Sequence, residues 1–342
     1  MIKQIAPIVA NSAAFEKFVE LLEHTGGERD SLFRVLTYHR VDQPSAHPFL
    51  DPGLISASPE VFEAQMKYLA SNYEIVSALD VIKAFEHPDL RLLPPRAVMI
   101  TFDDAYSDFE AVAWPILKLY DLPVVLFVPT AFPDHPERLF WWDRLFNAIQ
   151  NTSVEAINTS GGRLPISTPA QRSQAYKHLK NRIKVLPHDV AMEEVDRICS
   201  QLDSSPQVNT VLGWDSLRQL ASEGVSLGAH TQNHPMMNRL ALDDLQNEVL
   251  GSLQDLTRET GRTPLTFAYP SGMYNQEAVK VVEDAGFKLA FTTERGLNDL
   301  NRSEYLQLKR INIGSRTTMP VLRAQLLSWS VPLYSLSNKL FS

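Results

Sequence analysis

The chain alternates short apolar runs with amphipathic segments. The run over residues 97–102 is apolar almost throughout, as expected of a strand buried on both faces of a parallel sheet. Similar runs predict strands over residues 33–38, 123–128, 225–229, 265–269, 288–292 and 306–313. Apolar residues at helical spacing predict helices over residues 58–71, 107–120, 242–260 and 276–285. The seven or eight strand–helix alternations indicate an α/β fold, and favour a closed or nearly closed barrel of parallel strands.

The middle of the chain departs from this alternation. Residues 137–220 are more polar and predict a helical insertion, placed at about residues 131–220, in which residues 153–167 are loop-like. An amphipathic helix is expected over residues 12–24. The predicted organisation is therefore a helical extension over residues 1–32, a barrel over residues 33–315 that carries the insertion, and a C-terminal helix over residues 316–342.

The composition is that of a globular protein and argues against nucleic-acid binding and a disulfide framework. Apolar residues make up 44% and charged residues 21% of the chain, which is typical of a globular protein. The net charge is −8 and no basic block is present, which argues against nucleic acid as a partner. A single cysteine, Cys199, excludes an internal disulfide framework.

The ends of the chain bear on compartment and membrane contact. Pro7 interrupts the first apolar run, so we expect no export signal and a cytoplasmic location. No window reaches the roughly 18 apolar residues of a membrane span. The apolar stretch over residues 321–341 predicts a helix docked on the core, or alternatively an amphipathic element with weak contact to a membrane surface.

Polar side chains follow several predicted strands. Asp103 and Asp104 follow residues 97–102, and His39 follows residues 33–38; His230 and His234 come after residues 225–229. In a parallel barrel the carboxyl ends of the strands meet at one face, so these groups are expected to converge there. The alternatives are that the acids cap a helix and that the histidines pack in the core. Pro235 argues against a helix that carries both histidines.

Two histidines and one carboxylate suit a zinc ion, with a fourth position left for water, or another divalent transition metal such as iron, cobalt or nickel. A second carboxylate beside the ligand can accept a proton from that water. This combination predicts a metal-assisted hydrolase.

Three motifs carry a family resemblance. They are Thr-Phe-Asp-Asp at residues 101–104, His-Thr-Gln-Asn-His at 230–234 and Phe-Ala-Tyr-Pro-Ser-Gly at 267–272. Together they resemble the polysaccharide deacetylases (carbohydrate esterase family 4, the NodB-like domain), over about residues 33–315. The resemblance implies a distorted (β/α) barrel with Asp103 as general base and Asp104, His230 and His234 as metal ligands. It further implies hydrolysis of an N-acetyl group on an amino sugar, in an oligo- or polysaccharide or in its lipid- or nucleotide-linked precursor. A backbone N–H near Ser271 would hold the oxyanion.

The sequence departs from the family pattern at three points. Ala268 and Ser271 stand where many members have an arginine that holds the base and a tyrosine, and we expect Arg310 to supply the missing guanidinium. No histidine follows His234, so His39 is the candidate general acid. Ala105 replaces a glycine, which the turn should tolerate if φ at this residue is negative.

Candidate substrate contacts are Tyr269, Pro270 and Ser271 in the third motif and Trp142 in the insertion. Trp142, beside Trp141 and Asp143, could stack on a sugar ring, although packing over the core is favoured. Two other functions stay open at this point. One is a deformylase or another non-peptide amide hydrolase on the same scaffold, and the other is a non-catalytic carbohydrate-binding protein.

Overall fold

Seven parallel strands form a closed barrel in the computed structural model, which describes residues 12–25, 31–87, 93–204 and 210–328. The barrel strands are Leu32–Tyr38 (β1), Ala97–Phe102 (β5), Val124–Val128 (β6), Ser226–Ala229 (β9), Thr266–Ala268 (β10), Leu289–Arg295 (β11) and Leu308–Asn312 (β13). Around the barrel they follow the order β1, β13, β11, β10, β9, β6 and β5, and β5 pairs back with β1. This architecture confirms the predicted distorted (β/α) barrel.

The distortion has visible causes. Strand β10 is three residues long and meets β9 at a single register pair, Phe267 and Ala229. The register between β11 and β13 shifts between Phe291 and Arg295. Two short strands extend the sheet beyond the barrel: β4 (Glu74–Ile75) runs parallel to β5, and β12 (Asn298–Asp299) runs antiparallel to β1. Strands β2 (Arg40–Val41) and β3 (Ile55–Ala57) pair separately.

Helices pack around the barrel and in the insertion. They are α1 (Ala13–Thr25), α2 (Pro59–Asn72), α3 (Ala78–Glu86), α4 (Trp114–Leu119), α5 (Trp141–Gln150), α6 (Pro169–Ile183), α7 (His188–Cys199), α8 (Trp214–Ser222), α9 (Leu242–Thr260), α10 (Gln276–Asp284) and α11 (Met319–Leu326). Local chemistry fixes several ends. Ser58 caps α2 by accepting a hydrogen bond from the backbone N–H of Val61, and Gly261 ends α9 with φ of 68°.

Two local expectations need correction. Residues 153–167, expected to be loop-like, include an antiparallel hairpin of β7 (Ala156–Thr159) and β8 (Gly162–Pro165). The helix predicted over residues 107–120 begins with a π-helical turn, Phe109–Ala113, and Pro115 lies in the first turn of α4. Because proline has no N–H to donate and its ring crowds the preceding turn, the departure from α-helical hydrogen bonding falls in the turn just before Pro115.

Alternate residues of the strands fill the barrel interior. Val35, Met99, Phe127 and Leu308 belong to one buried cluster. Because side chains alternate along a strand, Thr101 and Asp103 share a face with Met99, and Arg310 shares a face with Leu308. The strand pattern therefore directs a carboxylate and a guanidinium toward the carboxyl end of the same interior.

The two ends of the described chain meet beside α2. Arg323 of α11 donates hydrogen bonds of 3.0 and 2.6 Å to the carboxylate of Glu23 in α1, and the Tyr68 hydroxyl donates to the same carboxylate at 2.6 Å. Of the C-terminal helix predicted over residues 316–342, the described residues contain α11, Met319–Leu326. Residues 329–342, where most of the predicted membrane contact falls, lie outside the described residues. Within the described part of the chain, no helix has the length and apolar character to cross a bilayer.

Candidate metal and active site

The two adjacent aspartates reach the site from the end of β5. The backbone N–H of Asp103 donates to the carbonyl of Tyr38 at 2.9 Å, which fixes the end of the strand against β1. The chain then turns sharply, with φ of 72° at Asp104 and 51° at Ala105. The condition of a negative φ, under which alanine would fit this turn without strain, is therefore not met. The turn needs the left-handed conformation, which glycine adopts without steric cost and alanine does not.

The two histidines lie on a loop after β9 and not on a helix. Thr231 and His234 both have positive φ, 63° and 57°, and the Thr231 hydroxyl accepts a hydrogen bond from the His234 backbone N–H at 3.0 Å. Glu248 of α9 accepts from the backbone N–H groups of Gln232 and Asn233. These bonds hold the loop in a strained shape that brings the two imidazole centroids to 4.7 Å.

Asp104, His230 and His234 form a buried cluster. Oδ1 of Asp104 lies 3.6 Å from Nε2 of His230 and 3.4 Å from Nε2 of His234, and the potential ligand atoms all lie within 4.8 Å of one another. Oδ1 has no hydrogen-bond partner among the described residues. A buried carboxylate oxygen without a partner is costly unless a cation neutralises it. The residues therefore fit a divalent metal ion.

The protonation of His230 agrees with this interpretation. Nδ1 lies 2.7 Å from the carbonyl oxygen of Ala268, so a proton on Nδ1 leaves the lone pair of Nε2 facing the cluster. Burial, together with the neighbouring His234, lowers the pKa of His230 to about 4. The imidazole is thus neutral near pH 7, which is the form that binds metals.

We expect the protein to bind about one equivalent of zinc after treatment with a chelator and reloading. At a free metal concentration of 100 times Kd, binding should stabilise the fold by about 2.7 kcal/mol. His234→Ala should lose both the metal and the stabilisation, as measured by elemental analysis and thermal unfolding. His178→Ala, at an exposed histidine on α6, is the control. Stoichiometric zinc retained by His234→Ala would show that this cluster is not the metal site.

Arg310 holds Asp103 through two hydrogen bonds. Its guanidinium donates to Oδ1 of Asp103 at 2.8 Å and to Oδ2 at 2.7 Å, and its Nε donates to the carbonyl of Thr292 at 2.8 Å. Both side chains are buried. Burial acts to raise the pKa of Asp103, but the Arg310 charge and the nearby histidines outweigh it and hold the pKa well below its ordinary value. Asp103 is therefore an oriented carboxylate at neutral pH.

His39 stands on the open side of Asp103. Its Nε2 lies 4.0 Å from Oδ2 of Asp103, and its side chain is 27% exposed. The backbone N–H of His39 donates to the hydroxyl of Ser56 at 3.0 Å, which anchors the residue at the end of β1. The structure thus brings the predicted base and the predicted acid to the same opening.

These groups line a cavity of about 210 Å³. The cavity is lined by the two aspartates and three histidines described above, which are Asp103, Asp104, His39, His230 and His234. The other lining residues are Leu54, Trp142, Lys180, Lys184, Ser271 and Thr293. Ser271 lies in a turn with φ of 54°, followed by Gly272 with φ of 67°. A Cβ at Gly272 would lie 2.6 Å from the backbone nitrogen of Thr293, so only glycine fits this approach between the turn and β11.

Two of the predicted substrate contacts do not reach the cavity. The Tyr269 ring is fully buried, and its hydroxyl donates to the carbonyl of Leu306 at 3.1 Å. Pro270 is buried as well and does not line the cavity. Tyr269 is directed into the packing around Tyr274, where the two rings stack with centroids 4.7 Å apart. Neither side chain is therefore in position to contact a molecule in the cavity, which argues against their assignment as substrate-binding residues. Ser271 lines the cavity, and its role as a substrate contact stays a prediction.

Trp142 both packs and lines the cavity. Its indole stacks on Phe140 with ring centroids 4.5 Å apart and meets the His234 ring edge-on at 5.0 Å. The indole N–H donates to the Tyr106 hydroxyl at 3.0 Å, which in turn donates to Asp143 at 2.5 Å. Trp142 thus supports the position of His234, in addition to any contact with a sugar.

Lys180 and Lys184 were not identified from the sequence. Both come from the end of α6, in the insertion, and line the cavity. Lys180 forms an ion pair with Asp51, which also accepts a hydrogen bond from Tyr176 at 2.6 Å. The only signal in the sequence is a Lys-x-x-x-Lys spacing, which is common on exposed helices and does not reveal what the helix covers.

The cavity continues into a groove. A narrow cleft shares His234 and Ser271 with the cavity and shares His188, Met192 and Arg239 with a larger depression of about 540 Å³. The larger depression is bordered by α5, α7, α9 and the loop around Asn233. The larger depression is lined by several charged and polar side chains, among them Arg138, Arg144 and Glu248.

Comparison with known proteins decides the family. Residues 91–290 match the polysaccharide deacetylase family. The chain belongs to this family. The match contains Asp103 and the cluster of Asp104, His230 and His234, and it confirms the resemblance seen in the three motifs.

Individual relatives are distant. YxkH of Bacillus subtilis (strain 168), named after the same family, is 20% identical over 287 residues, which are 84% of this chain and 73% of that protein. The poly-beta-1,6-N-acetyl-D-glucosamine N-deacetylase of Escherichia coli (strain K12) is 30% identical over 267 residues, and the match spans 57% of this chain but only 39% of that protein. The Streptococcus pyogenes deacetylase PplD shares the fold, with a TM-score of 0.58 at 21% identity, over 86% of this chain and 98% of PplD.

Proposed function

We propose that this polysaccharide deacetylase family member is a metal-dependent hydrolase that removes N-acetyl groups from amino sugars of an oligo- or polysaccharide. The observation that carries the proposal is the different setting of two adjacent carboxylates. Asp104 offers an oxygen without a hydrogen-bond partner to two histidines, while Asp103 is held by Arg310 and faces the same cavity. A metal ligand and a base are thereby supplied side by side.

A bound zinc or similar cation supplies polarisation of the acetyl carbonyl and a lowered pKa of water at the site. Asp103 accepts the proton from the attacking water because it is ionised and oriented by Arg310. The C–O bond forms first, which places negative charge on the acetyl oxygen, and the C–N bond of the acetamide breaks as that oxygen regains its double bond to carbon. His39 protonates the departing amine, so the products are acetate and a free amino sugar. The backbone N–H near Ser271 is the candidate donor to the oxyanion.

The polymeric substrate is supported by two observations. The groove extends the cavity beyond the space of one sugar. The E. coli relative is named for removing acetyl groups from a polymer of N-acetylglucosamine. The cytoplasmic location stays a prediction, as does the assignment of lipid- or nucleotide-linked precursors as substrates.

We expect zinc-loaded protein to release acetate from β-1,6-linked N-acetylglucosamine oligomers, with kcat/KM rising from the monosaccharide to the tetramer. The rise follows from binding energy in the groove, which the monosaccharide does not reach. Enzymatic measurement of acetate, with formate and ammonia measured in parallel on formylated sugars and cyclic amides, tests this. Release of formate or ammonia without acetate would replace the proposal by the alternative amide hydrolase. No product from any substrate, with zinc bound, would support a non-catalytic role.

His39→Gln should lower kcat for N-acetyl hydrolysis by roughly 10²–10⁴-fold, since general acid–base catalysis contributes about this much. The same variant should hydrolyse 4-nitrophenyl acetate nearly as fast as the wild type, because a nitrophenolate leaves without protonation. Metal content should not change. His135→Gln, at an exposed histidine, is the matched control. Equal losses on both substrates would contradict a role as general acid and indicate a structural one.

A further inference from the structure

Lys184 is a cation in the cavity that the deacetylation chemistry does not use. It caps the C-terminal end of α6 and is partly buried. Among the described residues, no carboxylate lies within ion-pair distance of its ammonium group. The other charged side chains that line the cavity have partners: Asp103 has Arg310, Lys180 has Asp51, and Asp104 faces the two histidines.

Among the described residues, the charges around Lys184 do not neutralise its ammonium group. The charge of Asp51 attracts Lys184, but the Asp51 carboxylate already accepts hydrogen bonds from Lys180 and Tyr176. Burial and the like charge of Lys180 lower the pKa of Lys184. An ammonium that is partly removed from water and placed beside another ammonium is stabilised by an anion that enters the cavity.

The size of the cavity limits where such an anion can be. The cavity of about 210 Å³ is smaller than the roughly 300–1,000 Å³ of pockets that take drug-sized ligands, so we assign it space for about one sugar ring. The metal cluster fixes the position of the acetamido group at one side of this space. A charged group that reaches Lys184 must therefore lie on the sugar that is deacetylated or on its immediate neighbour.

We propose that Lys184 recognises a carboxylate, phosphate or sulfate on the N-acetylated sugar or its neighbour, so that the preferred substrate is an acidic amino-sugar chain. This inference rests on the proposed function and makes its substrate class narrower. Lys180 contributes less because Asp51 already neutralises it. The insertion that carries α6 would thus set substrate specificity on a common barrel.

The test compares two trisaccharides of N-acetylglucosamine that differ by one group: one is neutral, and in the other a single sugar carries a phosphate monoester or the lactyl carboxylate of N-acetylmuramic acid. A charge-assisted hydrogen bond should raise kcat/KM for the acidic trisaccharide roughly tenfold to hundredfold over the neutral one, mainly through KM. In Lys184→Met this ratio should fall to about 1. Lys177→Met, at an exposed lysine of the same helix, should keep the wild-type ratio.

Several results would overturn the proposal. The neutral trisaccharide could be used as well as the acidic one, or the ratio could stay unchanged in Lys184→Met, in which case Lys184 contacts only hydroxyl groups. Lys184→Met could also weaken inhibition by acetate without changing the ratio, which would assign the lysine to the product. The same preference can be measured without turnover, by calorimetric titration of both trisaccharides into the zinc-loaded wild type and into Lys184→Met. If no acetate is released, the binding data still decide the role of Lys184, and only the proposed function fails.

Discussion

Asp103→Asn is expected to lower kcat/KM for N-acetyl hydrolysis by roughly 10²–10⁴-fold while zinc still binds with one equivalent. The amide of asparagine has nearly the shape of the carboxylate, but it cannot accept the proton of the attacking water. Because Asp103 lies beside the metal cluster and not within it, the loss should appear in kcat with zinc stoichiometry unchanged. Acetate release and elemental analysis on the same sample measure both.

The neighbouring residue provides the sharpest control. Asp104→Asn should lose metal affinity first, and activity with it, since its Oδ1 is the oxygen that faces both histidines. Excess zinc should restore part of the activity of Asp104→Asn but none of that of Asp103→Asn. If zinc rescues both variants equally, or if Asp103→Asn loses its metal, the separate roles of the two carboxylates are wrong.

Most of the barrel follows from the local sequence. The apolar run Ala97–Phe102 needs burial on both faces, and this requirement alone indicates a parallel sheet with helices outside it. The carboxyl ends of such strands meet at one face, so the proximity of Asp104, His230 and His234 could be predicted from the sequence. The strand that carries Arg310 was predictable for the same reason.

Other features depend on contacts that sequence patterns do not encode. Tyr269 was assigned to the substrate because it lies within the third motif, but its side chain is buried against Tyr274 and Leu306. The placement of Lys180 and Lys184 over the cavity depends on how α6 packs against the barrel. That packing is long-range, and the amphipathic pattern of α6 does not specify its partner.

The turn at Ala105 shows a third kind of limit. Alanine would fit there without strain only at negative φ, yet Ala105 has φ of 51°, next to φ of 72° at Asp104. Backbone strain of this kind persists where the surrounding structure of a site holds the chain in place. It therefore depends on the geometry of the site and is not indicated by the local residue type.

Arg310→Met should lower the free energy of unfolding of the metal-free protein by about 3–5 kcal/mol at pH 7, the usual cost of breaking a buried ion pair. In the wild type the pKa of Asp103 lies below its unfolded value, so the pair stabilises the fold above about pH 4 and this contribution is lost as the pH falls further. Without Arg310, burial becomes the dominant influence and raises the pKa of Asp103 above its unfolded value. Asp103 of the variant then binds more protons in the folded state than in the unfolded state, so the stability difference between Arg310→Met and the wild type should shrink as the pH is lowered from 7 toward 5. The lowered pKa of His230 destabilises both proteins over the same range and does not enter this difference. Urea unfolding of the chelated protein at both pH values measures this.

A double-mutant cycle separates the ion pair from the packing of the arginine. Asp103→Asn in the Arg310→Met background removes the unpaired buried charge, so the double variant should recover roughly 1–3 kcal/mol relative to Arg310→Met at pH 7. The recovery should shrink as the pH is lowered, because protonation of Asp103 removes the same buried charge without a substitution. Arg310→Lys retains one positive charge but not the two parallel hydrogen bonds, and should fall between the wild type and Arg310→Met. Additive effects of the two substitutions at both pH values would mean that Arg310 stabilises the barrel by packing alone, and that Asp103 is oriented by another group.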